Sequence, residues 1–383
     1  MALHFSREEF AGRQYRTIEQ LKNRGLDGLL MFRQESMYYL TGYDSFGYVF
    51  FQCLYLGADG YLLLLTRAPD LRQARRTSVI EDIRIWEDRA DADPAVQLKD
   101  ILQELGCQGR RLGVEYDAYG LTAKNGKLLE AALADFCALE DASELVNRLR
   151  LVKSPAEMRY VRKAAELADL ACDEAYRLTG PNADEGDILA AMHGVIFAGG
   201  GDYPGNEFII GSGEDALLCR YKSGRRKLAP QDQLTLEWAA AYRHYHAAMM
   251  RTIPIGRATE RHEKMHRVTM DAMHACMRSL KPGRPIGEVF DAYARVCDDA
   301  GMQSHRLNAT GYSMGTTFAP NWMDWPMFYH GNPVIAAPNM VFFLHMILMD
   351  SDTNHAMCFG HTVIVTETGC ESLSRRPLDL VVR

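Results

Sequence analysis

The sequence predicts two domains of different build, an α/β domain over residues 1–148 and an α+β domain over residues 149–383. Three observations carry this. At 383 residues the chain exceeds what one ordinary core accommodates. Its first third alternates helical and strand periodicity, the pattern of a mixed sheet flanked by helices. A strong helix start at Ser154-Pro155 then follows the stretch Arg148-Leu-Arg-Leu-Val-Lys153, and beyond it long helices precede long strands.

Taken in order, Arg13–Arg24 has helical spacing and Gly28–Phe32 is a short apolar run, so helix then strand. Strands are expected at Tyr48–Leu56 and Tyr61–Thr66, split by the turn signal Gly57-Ala-Asp-Gly60. Ala95–Leu105 reads as helix, Arg111–Glu115 as strand and Leu121–Leu133 as helix. In the second domain Ser154 caps a helix that has Pro155 at its first position and Glu157 at its third, and the helix runs to about Leu178. A helix over Glu185–Phe197 follows, then a strand pair over Leu234–Ile255 crossing at Tyr242. Helices over His262–Leu280 and Ile286–Ala300 are separated by Lys281-Pro282-Gly283, and Met340–Met349 and Thr362–Thr366 read as strands.

Composition excludes several function classes. A net charge of −7 offers no basic footprint for nucleic acid and no attraction to an anionic membrane. No run approaches the roughly 20 apolar residues of a membrane span. The charged stretch Met1–Glu19 lacks the apolar core of a signal peptide. Nine cysteines, an odd number with no Cys-x-x-Cys pair, read as reduced thiols. A cytoplasmic protein is the expectation.

A helix opening and five further segments then point to a family. Leu149–Met158 resembles the helix that opens the catalytic domain in the creatinase, prolidase and methionine-aminopeptidase superfamily, and Gly211-Ser-Gly213, Leu236–Thr252, Gly311-Tyr-Ser-Met-Gly315, Met340-Val-Phe-Phe343 and Thr362–Gly369 fall in that superfamily's order and spacing. The chain resembles that superfamily over nearly its whole length. The resemblance implies an α/β N-terminal domain plus an α+β pita-bread catalytic domain. It also implies a homodimer whose pocket is completed by the neighbouring copy's N-terminal domain, with Tyr43, Phe46 or Tyr48 as the closing residues.

The superfamily's peptidases hold two divalent metals with two Asp, one His and two Glu. By the same register those positions carry Glu237, Ala248, Tyr312, His345 and Gly360 here. Bridging two cations needs several carboxylates, so a standard dinuclear site is not expected. In this the chain resembles creatinase and ectoine hydrolase, members that hydrolyse C–N bonds of small zwitterions without that metal pair. Creatinase itself fits poorly, because its general-base His falls at or near Arg220 and one of its Glu residues on Met250.

Histidines replace the lost carboxylates. His244 and His246 are two apart on an expected strand and would leave by one face, with Ala248 beside them. His345 takes a ligand position and His361 neighbours another, so convergence of His246, His345, His244 and His361 in one pocket follows from register. They would shuttle a proton or, alternatively, hold one divalent metal; each could equally be a hydrogen-bonded core residue. No cofactor is otherwise expected. Glu237 is a candidate nucleophile or base, or a partner for Arg251 or Arg220. Tyr312, on a Gly-flanked turn, could donate to an oxyanion. Arg220 suits a substrate carboxylate, and Trp322, Trp325 and Tyr329 suit a cationic group through cation–π contact or simply pack a loop.

The expected function is hydrolysis of a C–N bond in a small zwitterion such as an ectoine, amidine or guanidino acid. The candidate catalytic residues are Glu237, His246, His345 and Tyr312; the candidate substrate-binding residues are Arg220, His244, Trp322, Trp325, His361 and Tyr48. Two rivals stand beside it. One is an Xaa-Pro dipeptidase with an unusual His-rich metal site, and the other a non-catalytic binding member of the fold.

Overall fold

A computed structural model describes residues 3–220 and 224–383, and it separates into two units, Met1–Arg150 and Leu151–Arg383. In the first, α1 (Arg7–Asn23) starts at Ser6, whose Oγ accepts the Glu9 N–H at 3.2 Å. There follow β1 (Gly28–Met31), α2 (Gln34–Thr41), β2 (Cys53–Gly57), β3 (Leu62–Arg67), α3 (Leu71–Thr77), β4 (Asp82–Trp86), α4 (Pro94–Glu104), β5 (Arg111–Val114), α5 (Ala123–Leu133), β6 (Ala138–Asp141) and α6 (Leu145–Leu151). The strands make a mixed sheet in the order β4-β3-β2-β1-β5-β6, parallel at β3/β4, β1/β5 and β5/β6.

One expected strand is shorter than its sequence pattern. Tyr48 lies in a 3-10 turn over Gly47–Val49, and the strand starts only at Cys53. Tyr48 is buried within its own unit, which pushes its phenol up to about 12. The exposed aromatic of that loop is Phe46, at 75%.

In the second unit α7 (Pro155–Leu178) begins with the expected capping box. Ser154 Oγ accepts the Glu157 N–H at 3.3 Å while Glu157 Oε2 accepts the Ser154 N–H at 2.8 Å. Next come α8 (Glu185–Ala198), β7 (Ile209–Ser212), β8 (Asp232–Tyr242), β9 (Tyr245–Ile255), α9 (Glu260–Ser279), α10 (Gly287–Asp299), β10 (Gly311–Ser313), β11 (Asp324–Met327), β12 (Val341–Asp350), β13 (His355–Val365) and β14 (Cys370–Ser372). Seven strands run β11-β10-β12-β13-β9-β8-β7, and β14 pairs with β13.

Alternation along β12 and β13 sorts side chains between two faces. Leu344, Met346, Leu348 and Phe359 join Met265, Met273 and Phe290 of α9 and α10 in one core cluster. Trp238 of β8, on the same side, donates its indole N–H to the Ala168 carbonyl of α7 at 3.1 Å. The intervening residues, Glu237 on β8 and His345 on β12 among them, take the other face.

Candidate active site

Register places the site. Glu237 pairs with Met250, Met250 with Gly360 and Gly360 with His345, a single row across β8, β9, β13 and β12. Residues directly opposite one another share a face, so Glu237 and His345 project to the same side. Tyr312 on β10 sits opposite Phe343, two residues before His345, and joins that face. A cavity of about 130 Å³ lies over it, lined by Glu237, His345, Tyr312, Trp322, Cys219 and Arg220 among others.

Glu237 is buried, and desolvation pushes its carboxyl from 4.5 up to about 7, against the smaller opposing pulls of the Tyr312 hydroxyl and Arg220. Tyr312 donates its hydroxyl to Glu237 Oε1 at 3.2 Å and accepts the Trp322 indole N–H at 2.9 Å. Burial, and then the Glu237 charge, hold that phenol well above its ordinary range, so it stays a donor. Its single proton is committed to Glu237, which corrects the expectation of a free oxyanion donor.

His345 is neutral at pH 7, because burial lowers its imidazole to about 4. Its Nδ1 is buried and has no hydrogen-bond partner among the described residues. An orphaned nitrogen on a cavity-lining ring is costly unless a ligand engages that imidazole. The two ionisable groups are thus pushed in opposite directions, Glu237 up and His345 down, which makes Glu237 the group that titrates near neutrality.

The other histidines do not converge here. His246 is fully buried, and both ring nitrogens are engaged: Nε2 accepts the Gly205 N–H at 2.9 Å and Nδ1 meets Thr317 Oγ1 at 3.0 Å. Burial lowers it to about 3. It works as a strut. Gly205, where a Cβ would sit 2.6 Å from the Asn321 carbonyl oxygen, leads into Asn206, whose Oδ1 accepts the Trp322 N–H at 3.1 Å. His246 thereby secures the loop that fixes Trp322, and Trp322 in turn holds Tyr312.

His244 is not on a strand. It is the second residue of a two-residue turn between β8 and β9, with Arg243 at φ 52° and His244 at φ 63°, and its ring stacks on Phe318 at 4.2 Å. His361 lies on the opposite, helix-covered face. There Arg251 Nη2 donates to its Nε2 while its Nδ1 meets Ser372 Oγ at 3.0 Å. Trp325 is half-buried against the α9/α10 core cluster and does not line the cavity, and Tyr329 is exposed. Arg220 is exposed and lines the cavity with Glu237, and Cys219 and Asn321 are lining residues that sequence reasoning missed.

The residues do not fit a metal pair. Alanine stands at 248, and at Gly360 an added Cβ would lie 2.5 Å and 2.6 Å from Cζ and Cε2 of Phe343. Among the described residues no group of three or more His, Cys, Asp or Glu is arranged to hold a metal. Larger clefts lie elsewhere. One of about 760 Å³ in the first unit is lined by Asp82 and Arg84, but these pair with each other at 2.6 Å. Chemistry, not size, selects the smaller cavity.

Comparison with known proteins agrees with this architecture. The profile of metallopeptidase family M24 matches residues 159–367, and that of the creatinase/prolidase N-terminal domain matches residues 13–152. Ectoine hydrolase of Halomonas elongata is 26% identical over 400 residues, spanning 100% of this chain and 99% of the relative. An Xaa-Pro dipeptidase of Pyrococcus horikoshii is 20% identical over 95% of the chain and 97% of its own. Among solved structures, a prolidase from Thermococcus sibiricus superposes with a TM-score of 0.88 at 19% identity, covering 98% of this chain and 99% of that one. Dipeptidase PepE from Mycobacterium ulcerans gives 0.85 at 23%, covering 99% of each.

Proposed function

The chain belongs to the M24 metallopeptidase family, with a creatinase-type α/β N-terminal domain and a pita-bread catalytic domain, and on that premise we propose that it is a hydrolase opening a C–N bond in a small zwitterionic solute. The observation that carries the reading is Glu237, a buried carboxyl brought to about 7 and facing a cavity with one cation among the described residues, Arg220. About 130 Å³ is room for roughly four waters' worth of ligand, well under the ~300 Å³ at which drug-sized sites begin. A compact solute fits that space better than a peptide. The ectoine hydrolase relative points the same way.

In this reading Arg220 holds the substrate carboxylate, and the Glu237 carboxylate faces an amidinium or guanidinium group. Glu237 removes a proton from water as its oxygen bonds to the amidinium carbon. That proton then passes to the departing nitrogen as the C–N bond breaks, so Glu237 ends as it began. His345, neutral and with an Nδ1 that has no partner among the described residues, orients the substrate or the water. The same reading takes the active species to be a homodimer whose second copy completes the pocket, for which light scattering on the purified protein is the measure.

The test is a panel of ectoines, guanidino acids and Xaa-Pro dipeptides, assayed before and after dialysis against a chelator. Turnover of a compact zwitterion that survives the chelator is the expected result. Cleavage of Ala-Pro that returns only with added Mn²⁺ or Zn²⁺ would replace this reading with a dipeptidase. Tight binding with no turnover would make the chain a ligand-binding member.

A further inference from the structure

The strand row that carries two of the cavity's lining residues, Glu237 and His345, is filled in an unusual way. Between Glu237 and His345 that row offers only Met250 and Gly360, and Gly360 has no side chain to present. The space above Gly360 is nevertheless filled. Phe343, fully buried on β12, places its ring edge 2.5–2.6 Å from where a Cβ of residue 360 would stand. That is closer than a real Cβ contact, so the glycine and the phenylalanine are complementary: the ring fits because residue 360 lacks a side chain. The ring centroid lies 5.5 Å from that of Tyr312 and 5.5 Å from that of His345, which are 5.6 Å from each other, so Phe343 completes a three-ring cluster with two side chains that line the cavity.

We propose that Phe343 is the specificity-determining residue of this site, a plug that stops the cavity at the Glu237–His345 row and confines it to compact ligands. The substrate class in this inference rests on the hydrolase reading above; the plug itself rests on packing. A shorter side chain at 343 would open the space over Gly360 and lengthen the cavity along the sheet, between the two groups that face the substrate. Longer ligands would then enter, while Glu237 and its hydrogen bond to Tyr312 would stay in place.

The test compares wild type, Phe343→Ala and Phe343→Leu, reading kcat/KM for compact cyclic amidinium carboxylates and for their N-acylated, chain-extended homologues. Wild type should favour the compact ligand, and Phe343→Ala should shrink that preference at least tenfold, mainly through a lower KM for the longer ligand. Phe343→Leu should fall between and serves if the alanine variant folds poorly. An unchanged preference in both variants would overturn the plug. If wild type turns over none of these ligands, the hydrolase reading fails instead, and the plug is judged by melting. Gly360→Ala should lower Tm by several degrees in wild type and by clearly less in Phe343→Ala, where the Leu344 carbonyl, 3.1 Å from the added Cβ, remains against it. An equal loss in both backgrounds would overturn it.

Discussion

On its helix-covered face the sheet buries Arg251 completely and gives its guanidinium a full set of partners. Nε donates to Tyr176 Oη at 3.1 Å, and Nη1 donates to the Met250 and Gly360 carbonyls at 2.8 and 3.1 Å. Nη2 reaches His361. On the cavity face, in the neighbouring row of the same strands, Glu237 is met by the Tyr312 hydroxyl, and the Nδ1 of His345 has no partner among the described residues. Both faces bury ionisable groups at a cost, but among the described residues only one of them settles it within the chain. The face left unsettled is the one with room for a ligand, which is where perturbed titration and function tend to coincide.

Three experiments can break or sharpen that contrast. The largest effect belongs to the settled face. Arg251→Met should strand the Tyr176 hydroxyl, two carbonyls and His361 together, costing roughly 3–5 kcal/mol in denaturant unfolding. A loss below about 1 kcal/mol would mean that the network contributes little.

Glu237→Gln should do the opposite to stability. A carboxyl raised from 4.5 to about 7 holds its proton more tightly in the folded state than in the unfolded. Stability therefore falls as pH rises between those values, and above about 7 the folded chain bears a penalty of roughly 3 kcal/mol. The glutamine variant should be more stable than wild type at pH 8 by about 1–3 kcal/mol and show no such gain at pH 4, while losing roughly 10²–10⁴ in turnover. Destabilisation at pH 8 would show the carboxylate to be well solvated or paired, and the contrast between the two faces would then collapse.

Tyr312→Phe carries the smallest effect. Its hydrogen bond lowers the Glu237 pKa, so removing it should move the alkaline rise of the rate above pH 7 and cut turnover at neutrality about tenfold. A profile unmoved by this change would separate Tyr312 from Glu237.

Much of the fold was legible because local signals were strong. The Ser154–Glu157 box and the five segments in family register are such signals, and the row that carries Glu237 and His345 follows once strands are in register. The histidine cluster was not legible, for two physical reasons. Arg243-His244 adopts positive φ without glycine or asparagine, so nothing in the sequence marks the turn that takes His244 off the strand. His361 misses the cavity by one residue, which on a strand is the difference between faces. The Tyr312–Trp322 hydrogen bond joins a short strand to an irregular segment, and no periodicity encodes it.

The capping box at the start of α7 has a consequence for recombination. Glu157 uses Oε2 to cap Ser154, and its Oε1 accepts the Tyr245 hydroxyl at 2.8 Å, at the first residue of β9. One carboxylate clasps the opening of the helix to the root of the central hairpin. A chimera joined upstream of Ser154 inherits the clasp whole. One joined a few residues later imports a foreign clasp partner, so the workable crossover point for shuffling N-terminal domains lies in Arg148–Lys153.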